Sequence, residues 1–214
     1  MRNVLYISVA ILAFASCKKE DEVQPKPTVP QASKSYMPLE VGNYWVYETN
    51  NVDEFGVKTY MGQDSISISK DTTINGNKFY IMEGTFLGSS AAIRTILKDS
   101  AGYLVDPTGI FHLSSYNFQD TIYRNVELGG IKDTLYTVVG HMEKVPNPIQ
   151  VPAGIFQDVI VNKHTYTFIH PSFSRGSRST YTYYSNKIGK IKGVKWFAKQ
   201  PSTIETELIR YHVK

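Results

Sequence analysis

The stretch His164-Thr165-Tyr166-Thr167-Phe168 decides the fold class, because threonines and aromatic rings alternate in it with a period of two. Successive side chains of a β-strand point to opposite faces of the sheet, so the pattern predicts a strand with one buried face and one wet face. Thr180-Tyr181-Thr182-Tyr183 shows the same alternation further along the chain. Both stretches predict β-structure.

Period-two segments recur outward from these stretches, whereas helical apolar spacing of three and four is hard to find. We predict about ten strands, at residues 43–49, 64–69, 78–83, 93–98, 121–127, 134–139, 158–168, 179–184, 188–198 and 203–212. Turn signals separate many of them, including Asn75-Gly76-Asn77, Gly129-Gly130, Pro146-Asn147-Pro148 and Pro152-Ala153-Gly154. The sequence therefore predicts an all-β fold, an antiparallel meander that forms a barrel, half-barrel or sandwich.

Residues 1–16 have the layout of a secretory signal peptide, with Arg2 as the charged region and an apolar run at residues 4–15. That run has twelve residues, whereas a membrane-spanning helix needs about 20. We therefore expect residues 1–16 to be removed.

The small residues Ala15 and Ser16 lead directly into Cys17, the only cysteine of the chain. This arrangement resembles the lipobox of bacterial lipoproteins, although Phe14 stands where the usual residue is leucine. The resemblance implies that Cys17 carries a diacylglycerol and that its new amino group can also be acylated, for example by palmitate. Two or three acyl chains make such an attachment durable, so we expect the membrane to be a partner of the mature protein.

Residues 17–35 contain Pro25, Pro27 and Pro30 and almost nothing apolar. Such a segment favours an extended spacer of about 3 Å per residue, roughly 50 Å in all. Acidic residues 20–22 follow Cys17 and Lys19 and resemble a signal that carries lipoproteins to the outer face of the outer membrane; the alternative is a solvated linker. Residues 36–214 are enough for a single β-rich domain.

Three patches of the chain resemble an uncharacterised group of β-rich bacterial lipoproteins and secreted domains. They are Tyr36-Met37-Pro38-Leu39-Glu40-Val41-Gly42-Asn43-Tyr44-Trp45-Val46-Tyr47, Val151-Pro152-Ala153-Gly154-Ile155-Phe156, and Tyr183-Tyr184 with Ile188-Gly189-Lys190-Ile191-Lys192. The resemblance implies a fold and an envelope location, and it brings no activity with it. We interpret Trp45, Tyr47 and Phe156 as bulky core anchors.

Signatures of known catalytic and phosphate-binding sites are missing from the sequence. Of the five histidines, only His164 and His170 are close in sequence, and six residues of strand separate them by about 20 Å, too far to bind one metal ion. No catalytic residue, metal ligand or cofactor is therefore predicted. A zinc site from distant strands and a pair of dispersed carboxylates stay open as alternatives.

Five of the nine aspartates are followed by serine or threonine and then a small or apolar residue or threonine. The pattern resembles the acceptor motif of a bacterial O-glycosylation system that acts on exported proteins. It makes the following residues candidate sugar acceptors: Ser65, Thr72, Ser100, Thr121 and Thr134. The alternative is structural, because Asp followed by Ser or Thr also suits a turn that leads into a strand.

Charge is unevenly distributed, since residues 170–214 hold nine Lys or Arg against two Glu. We expect Lys190 and Lys192 to point the same way from one strand, with neighbours that complete a candidate anion-binding surface: Lys195, Arg175 and Arg178. Such a surface suits an anionic glycan or lipid headgroup. The alternative is a solvated face that protects the sheet from aggregation.

Taken together, these features predict a membrane-anchored cell-envelope lipoprotein that binds or supports a glycan, a lipid or a protein partner. Envelope polysaccharide, lipid or another envelope protein are the expected partners, and nucleic acid is not. A half-barrel lipid carrier would instead require an empty apolar concavity, and a hydrolase would require two carboxylates about 5 to 10 Å apart.

Overall fold

In the computed structural model, the described residues are 34–86, 89–128, 134–170, 176–196 and 200–214. Every regular element among them is a strand: β1 Tyr44–Val52, β2 Lys58–Ile74, β3 Asn77–Phe86, β4 Ser89–Ser100, β5 Tyr103–Val105, β6 Phe111–Ser114, β7 Tyr123–Leu128, β8 Thr134–Val145, β9 Ile149–Val151, β10 Gly154–Phe156, β11 Val159–Phe168, β12 Ser177–Ser185, β13 Gly189–Trp196 and β14 Thr203–His212. No helix in this part of the chain is long and apolar enough to cross a membrane.

The ten predicted strands correspond to β1–β4, β7, β8 and β11–β14. Asn75 and Gly76 link β2 to β3 with φ of 49° and 74°, as expected for a two-residue hairpin turn that needs positive φ at both central positions. Pro152 and Ala153 join β9 to β10, whose register pairs Gly154 with Val151. The turn predicted at residues 129–130 lies outside the described residues.

Twelve strands form one antiparallel sheet in the order β6-β5-β4-β3-β2-β1-β14-β13-β12-β11-β8-β7, and β9 and β10 form a separate hairpin. The last strand, β14, lies between β1 and β13, so that two runs of neighbouring strands extend from the β1–β14 pair. The sheet curls until β6 approaches β11, where the Asn162 side chain donates to the His112 carbonyl over 2.7 Å. The predicted all-β antiparallel fold is confirmed, in the form of one nearly closed sheet.

The alternation that predicts β11 and β12 is present, but the aromatic residues of the two strands lie on opposite faces of the sheet. His164 pairs with Thr180 and Tyr166 pairs with Arg178, so the aromatic face of β11 lies beside the threonines of β12. Tyr181 and Tyr183 therefore lie on the opposite face of the sheet.

Trp45, Tyr47 and Phe156 are buried in the core, as predicted. The Trp45 Nε1 donates to the Ile188 carbonyl over 2.6 Å, and the Tyr47 hydroxyl donates to the Lys190 carbonyl over 3.1 Å. Gly189 has a φ of 104° and lies directly against the Trp45 ring. The first and third patches thus form one packed joint between β1 and the start of β13.

The predictions for the N-terminal part of the chain concern the signal peptide at residues 1–16, the lipid on Cys17 and the tether at residues 17–35. Residues 1–33 lie outside the described residues, so these stay predictions. At the end of the tether, the Lys34 ammonium lies 2.9 Å from the Asp158 carboxylate, and the Lys187 amide donates to the Ser35 carbonyl over 2.7 Å.

Candidate functional site

Alternate residues of β11 present Asn162, His164 and Tyr166 to the concave face of the sheet. The register sets Asn162 between Met142 of β8 and Thr182 of β12, and His164 between Gly140 and Thr180. Because side chains alternate between faces along a strand, the three lie in a row across the concavity.

This row forms one wall of a cavity of about 390 Å³, which we call the β11 cavity. Typical ligand pockets enclose roughly 300–1,000 Å³, so the cavity is large enough for a small ligand. Aromatic, amide, hydroxyl and imidazole side chains dominate its lining, which consists of Phe111, His112, Tyr123, Asn125, Tyr136, Val138, Asn162, His164, Tyr166, Thr182 and Tyr184.

The His164 ring lies flat against Tyr123 of β7, with 5.1 Å between ring centroids and 9° between ring planes. Gly140 makes room for it, since an added Cβ there would lie 2.8 Å from the ring Cδ2 and 2.9 Å from Nε2. Burial lowers the pKa of His164, and nearby His112 lowers it further. His164 is therefore a neutral imidazole at pH 7.

Asn162 is 8% exposed, and only one of the two polar atoms of its side chain makes a hydrogen bond. Its Nδ2 donates to the His112 carbonyl, whereas its Oδ1 is buried without a hydrogen-bond partner. Buried polar atoms in folded proteins are nearly always paired. Because Asn162 also lines the cavity, its unpaired acceptor suits a ligand that donates a hydrogen bond.

His112 reaches the cavity from β6 and is oriented by Asp106, whose Oδ2 lies 3.0 Å from Nε2. Burial opposes the charge of Asp106, but hydrogen bonds from the Thr108 hydroxyl, from His112 and from the Thr108 and Ile110 amides outweigh it and lower its pKa to about 2. Asp106 is thus an ionised residue of a loop turn, held by several donors.

An aromatic cluster extends from Tyr166 along the same face. Trp196 of β13 makes edge contacts with Tyr166 and Phe168 at centroid distances of 5.1 and 5.5 Å. The Arg178 guanidinium lies 4.7 Å above the Trp196 ring and donates to the Gln200 carbonyl. Arg178 is therefore held by aromatic stacking and a backbone carbonyl.

The expectation that Lys190 and Lys192 point the same way is wrong. The β12–β13 register shifts there, so that Lys192 pairs with Tyr183 and Lys190 with the adjacent Tyr184. Adjacent strand residues face opposite sides, and the bulge therefore separates the two lysines. The Lys190 ammonium lies 5.0 Å from the Tyr47 ring centre, whereas Lys192 contacts Glu205 and Glu207 at 3.1 and 2.9 Å.

The remaining basic candidates do not extend one shared face either. Lys195 is exposed, Arg178 belongs to the aromatic cluster, and Arg175 lies outside the described residues. Anion binding by this set stays a prediction.

The candidate sugar acceptors differ in their positions. Ser65 is exposed in the middle of β2, beside a buried Asp64 that accepts from the Thr49 hydroxyl, so the turn interpretation does not hold there. Thr72 lies in β2 near the Asn75–Gly76 turn, and Ser100 ends β4. Thr121 is exposed before β7, and half-buried Thr134 begins β8. Glycosylation of these residues stays a prediction.

The two histidines that are close in sequence do not form a site, because β11 ends at Phe168 and His170 lies beyond it. His164 instead neighbours His112, which is 52 residues away in the chain. Among the described residues, no three His, Cys, Asp or Glu side chains could hold a metal ion together.

Sequence reasoning missed Asn162, His112 and most of the β11 cavity. Alternation along β11 predicts that His164 and Tyr166 share a face, and it would place Asn162 on that face too. The contribution of β6 depends on the curl of the sheet, which no local pattern reveals.

No family model matches this sequence, and no curated protein does. Two solved structures resemble the fold. One is a protein classified as exported, with a YmcC-like fold, from Bacteroides fragilis: it is 13% identical with a TM-score of 0.51, and the match covers 82% of this chain and 98% of that one. The other is a protein classified as a lipoprotein from Parabacteroides distasonis, 15% identical with a TM-score of 0.53, covering 84% and 99%. These likenesses show the fold.

Proposed function

We propose that the chain is a lipid-anchored cell-envelope protein whose β-domain binds a neutral saccharide in the β11 cavity. Cys17 behind its apolar leader supports the anchor, and the proteins of similar fold are classified as exported and as a lipoprotein. The acidic residues 20–22 favour the outer membrane, with the domain displayed at the cell surface.

The observation that carries the saccharide proposal is the unpaired Oδ1 of Asn162, a residue that lines a cavity of rings and hydroxyls. None of the described lining residues is an Asp, Glu, Lys or Arg, and His164 is neutral. An uncharged ligand rich in hydroxyl donors matches this lining, because its hydroxyls satisfy the amide oxygen and its C–H faces pack on aromatic rings.

A hydrolase is less well supported by the same lining. Glycosidases place two carboxyl groups about 5 to 10 Å apart around the reacting bond, and the described lining of the β11 cavity supplies none. Asp106 is occupied by His112 and by donors of its own turn. The geometry therefore favours binding over hydrolysis.

The test is calorimetric titration of the mature chain, carrying Cys17→Ser to avoid detergent, with neutral monosaccharides and with oligosaccharides released from bacterial envelopes. Asn162→Leu should weaken the binding of a saccharide at least about tenfold, because the buried acceptor is lost. Tyr166→Leu should also weaken it by removing a ring, while the fold is monitored by thermal unfolding.

Thr165→Val is the matched control, since Thr165 lies on β11 but on the opposite face, where its hydroxyl pairs with Ser179. Its affinity should equal that of the unmodified chain. Absence of binding to every saccharide, or equal affinities for the Asn162 and Thr165 variants, would refute the saccharide proposal.

A further inference from the structure

A second cavity lies on the concave face, between β1–β5 and the start of β13. Its volume is about 190 Å³, and we call it the Lys190 cavity. It shares His112 and Tyr184 with the β11 cavity, but its wall is otherwise mostly aliphatic, with Met37, Ile66, Met82, Ile93, Leu97 and Leu104. Such a wall favours an apolar group.

Lys190 is the one lysine or arginine among the described lining residues of this cavity. Its Nζ lies 5.0 Å from the centre of the Tyr47 ring, and its Cε and Nζ lie over the bare backbone of Gly193, each 3.3 Å from where a Cβ would be. The register shift between β12 and β13 turns it inward. The bulge, the Tyr47 ring and Gly193 therefore together fix the position of the Lys190 side chain.

Among the described ion pairs, none joins the Lys190 ammonium directly to a carboxylate, and buried Asp64 attracts its charge without such a pair being recorded. Within the described chain, Lys34, Lys58, Lys78, Lys163 and Lys192 form ion pairs with Asp or Glu, and Lys190 does not. Glu83 also lines the cavity, but it is paired with Arg94 at 3.8 Å. A lysine that faces an apolar cavity and has no recorded ion pair with a carboxylate favours an anion at its ammonium group.

We propose that the Lys190 cavity binds a short aliphatic monocarboxylate, with its carboxylate on the Lys190 ammonium and its alkyl chain between β2, β3, β4 and β5. One cation matches one negative charge, which favours a carboxylate over a phosphate dianion. Each methylene that enters the aliphatic wall contributes about 0.8 kcal/mol. The inference does not depend on the saccharide proposal, because Lys190 does not line the β11 cavity.

The titratable groups around Lys190 give the site a pH dependence. Burial lowers the pKa of Lys190 to about 8, repulsion from Lys195 acts in the same direction, and Asp64 opposes both. The other titratable groups at the cavity are Tyr47, Glu83, His112 and Tyr184, and burial keeps the pKa of both tyrosines above the ordinary value. Lys190 therefore loses most of its positive charge between pH 7 and pH 9.5. An ordinary lysine is still mostly charged at pH 9.5.

The experiment titrates the Cys17→Ser mature chain with sodium octanoate at pH 7 by calorimetry, with 1-octanol and octylamine as ligands of equal chain length. Octanoate should bind at least about tenfold more tightly than either. Lys190→Met should remove that preference while keeping the fold, since methionine suits an apolar wall. Raising the pH to 9.5 should weaken octanoate binding several-fold in the unmodified chain.

Lys192→Met is the matched control, because Lys192 is two residues away on the opposite face, and octanoate affinity should not change. No octanoate binding, equal affinity for octanol, or equal losses in the two lysine variants would overturn the inference. If saccharides still bind in that case, the β11 cavity proposal stands and only the Lys190 cavity proposal fails.

Discussion

Trp45 connects β1 to the start of β13, which lies two strands away in the sheet. Its ring is 0% exposed, and its Nε1 donates to the Ile188 carbonyl over 2.6 Å. Trp45→Phe removes buried volume and leaves that carbonyl without its donor, so the free energy of unfolding should fall by about 2 kcal/mol. Chemical denaturation measures the loss. Tyr44→Phe is the control at an exposed neighbour, and similar losses in both variants would contradict this role of Trp45.

At the scale of single residues, bulk and hydrophobicity were enough to predict three side chains of the core. Trp45, Tyr47 and Phe156 are buried. The direction of Lys190 could not be predicted, because a bulge in β13 lies between Lys190 and Lys192. The bulge places the two lysines on opposite faces of the sheet, although they are two residues apart. A bulge depends on how two strands pair, and the alternation within one strand does not show it.

Strand β14 places Glu205 and Glu207 between Lys58 of β2 and Lys192 of β13. Lys58 lies 3.0 and 2.7 Å from the two carboxylates, and Lys192 lies 3.1 and 2.9 Å from them. Burial opposes the charge of Glu207, but hydrogen bonds from Lys58 and Lys192 outweigh it and lower its pKa. The two carboxylates are therefore neutralised by lysines and hold neighbouring strands together.

A carboxyl group whose pKa is lower in the folded state stabilises the fold above its unfolded pKa, and this contribution is lost as the pH falls through the folded pKa. Glu207→Gln should therefore lower the free energy of unfolding by about 1–3 kcal/mol at pH 7. The difference from the unmodified chain should shrink as the pH falls from the ordinary glutamate pKa through the lowered pKa of folded Glu207, because the carboxylate is then protonated. Urea unfolding at pH 7 and pH 3 measures both, with exposed Glu54→Gln as the control. A difference that does not depend on pH would contradict the ion-pair explanation.

At the scale of elements, the long strands could be predicted and the short ones could not. Strands β5, β6, β9 and β10 have only three or four residues, too few to show a period of two. Strand β6 nevertheless supplies Phe111 and His112 to the β11 cavity. The part of the candidate site that β6 supplies was therefore missed, because β6 is too short to be predicted from its sequence.

For the whole molecule, the pairing of β1 with β14 joins the two ends of the domain. The Lys214 amide also donates to Oδ1 of the fully buried Asn43 over 3.1 Å. A meander predicted from consecutive turns contains only neighbours in sequence, so it cannot reveal this closing pair. The curl that creates both cavities follows from the complete sheet.

The proposed anchor decides where these cavities function. Two or three acyl chains on Cys17, each contributing about 0.8 kcal/mol per buried methylene, should hold the protein on the membrane durably. Cys17→Ala should release the protein in soluble form or leave its leader uncleaved, as measured by fractionation and by mass spectrometry of the N-terminus. A Cys17→Ala protein that is still acylated and membrane-bound would contradict the anchor.

Deletion of residues 20–22 tests the sorting step separately, because it leaves Cys17 and the β-domain intact. Antibody or protease access on whole cells should fall, while thermal unfolding of the domain stays unchanged. A chain that loses surface access but remains membrane-bound would show that the acidic run directs the lipoprotein outward. Unchanged access would reduce residues 20–22 to a solvated spacer and leave the outward orientation without support.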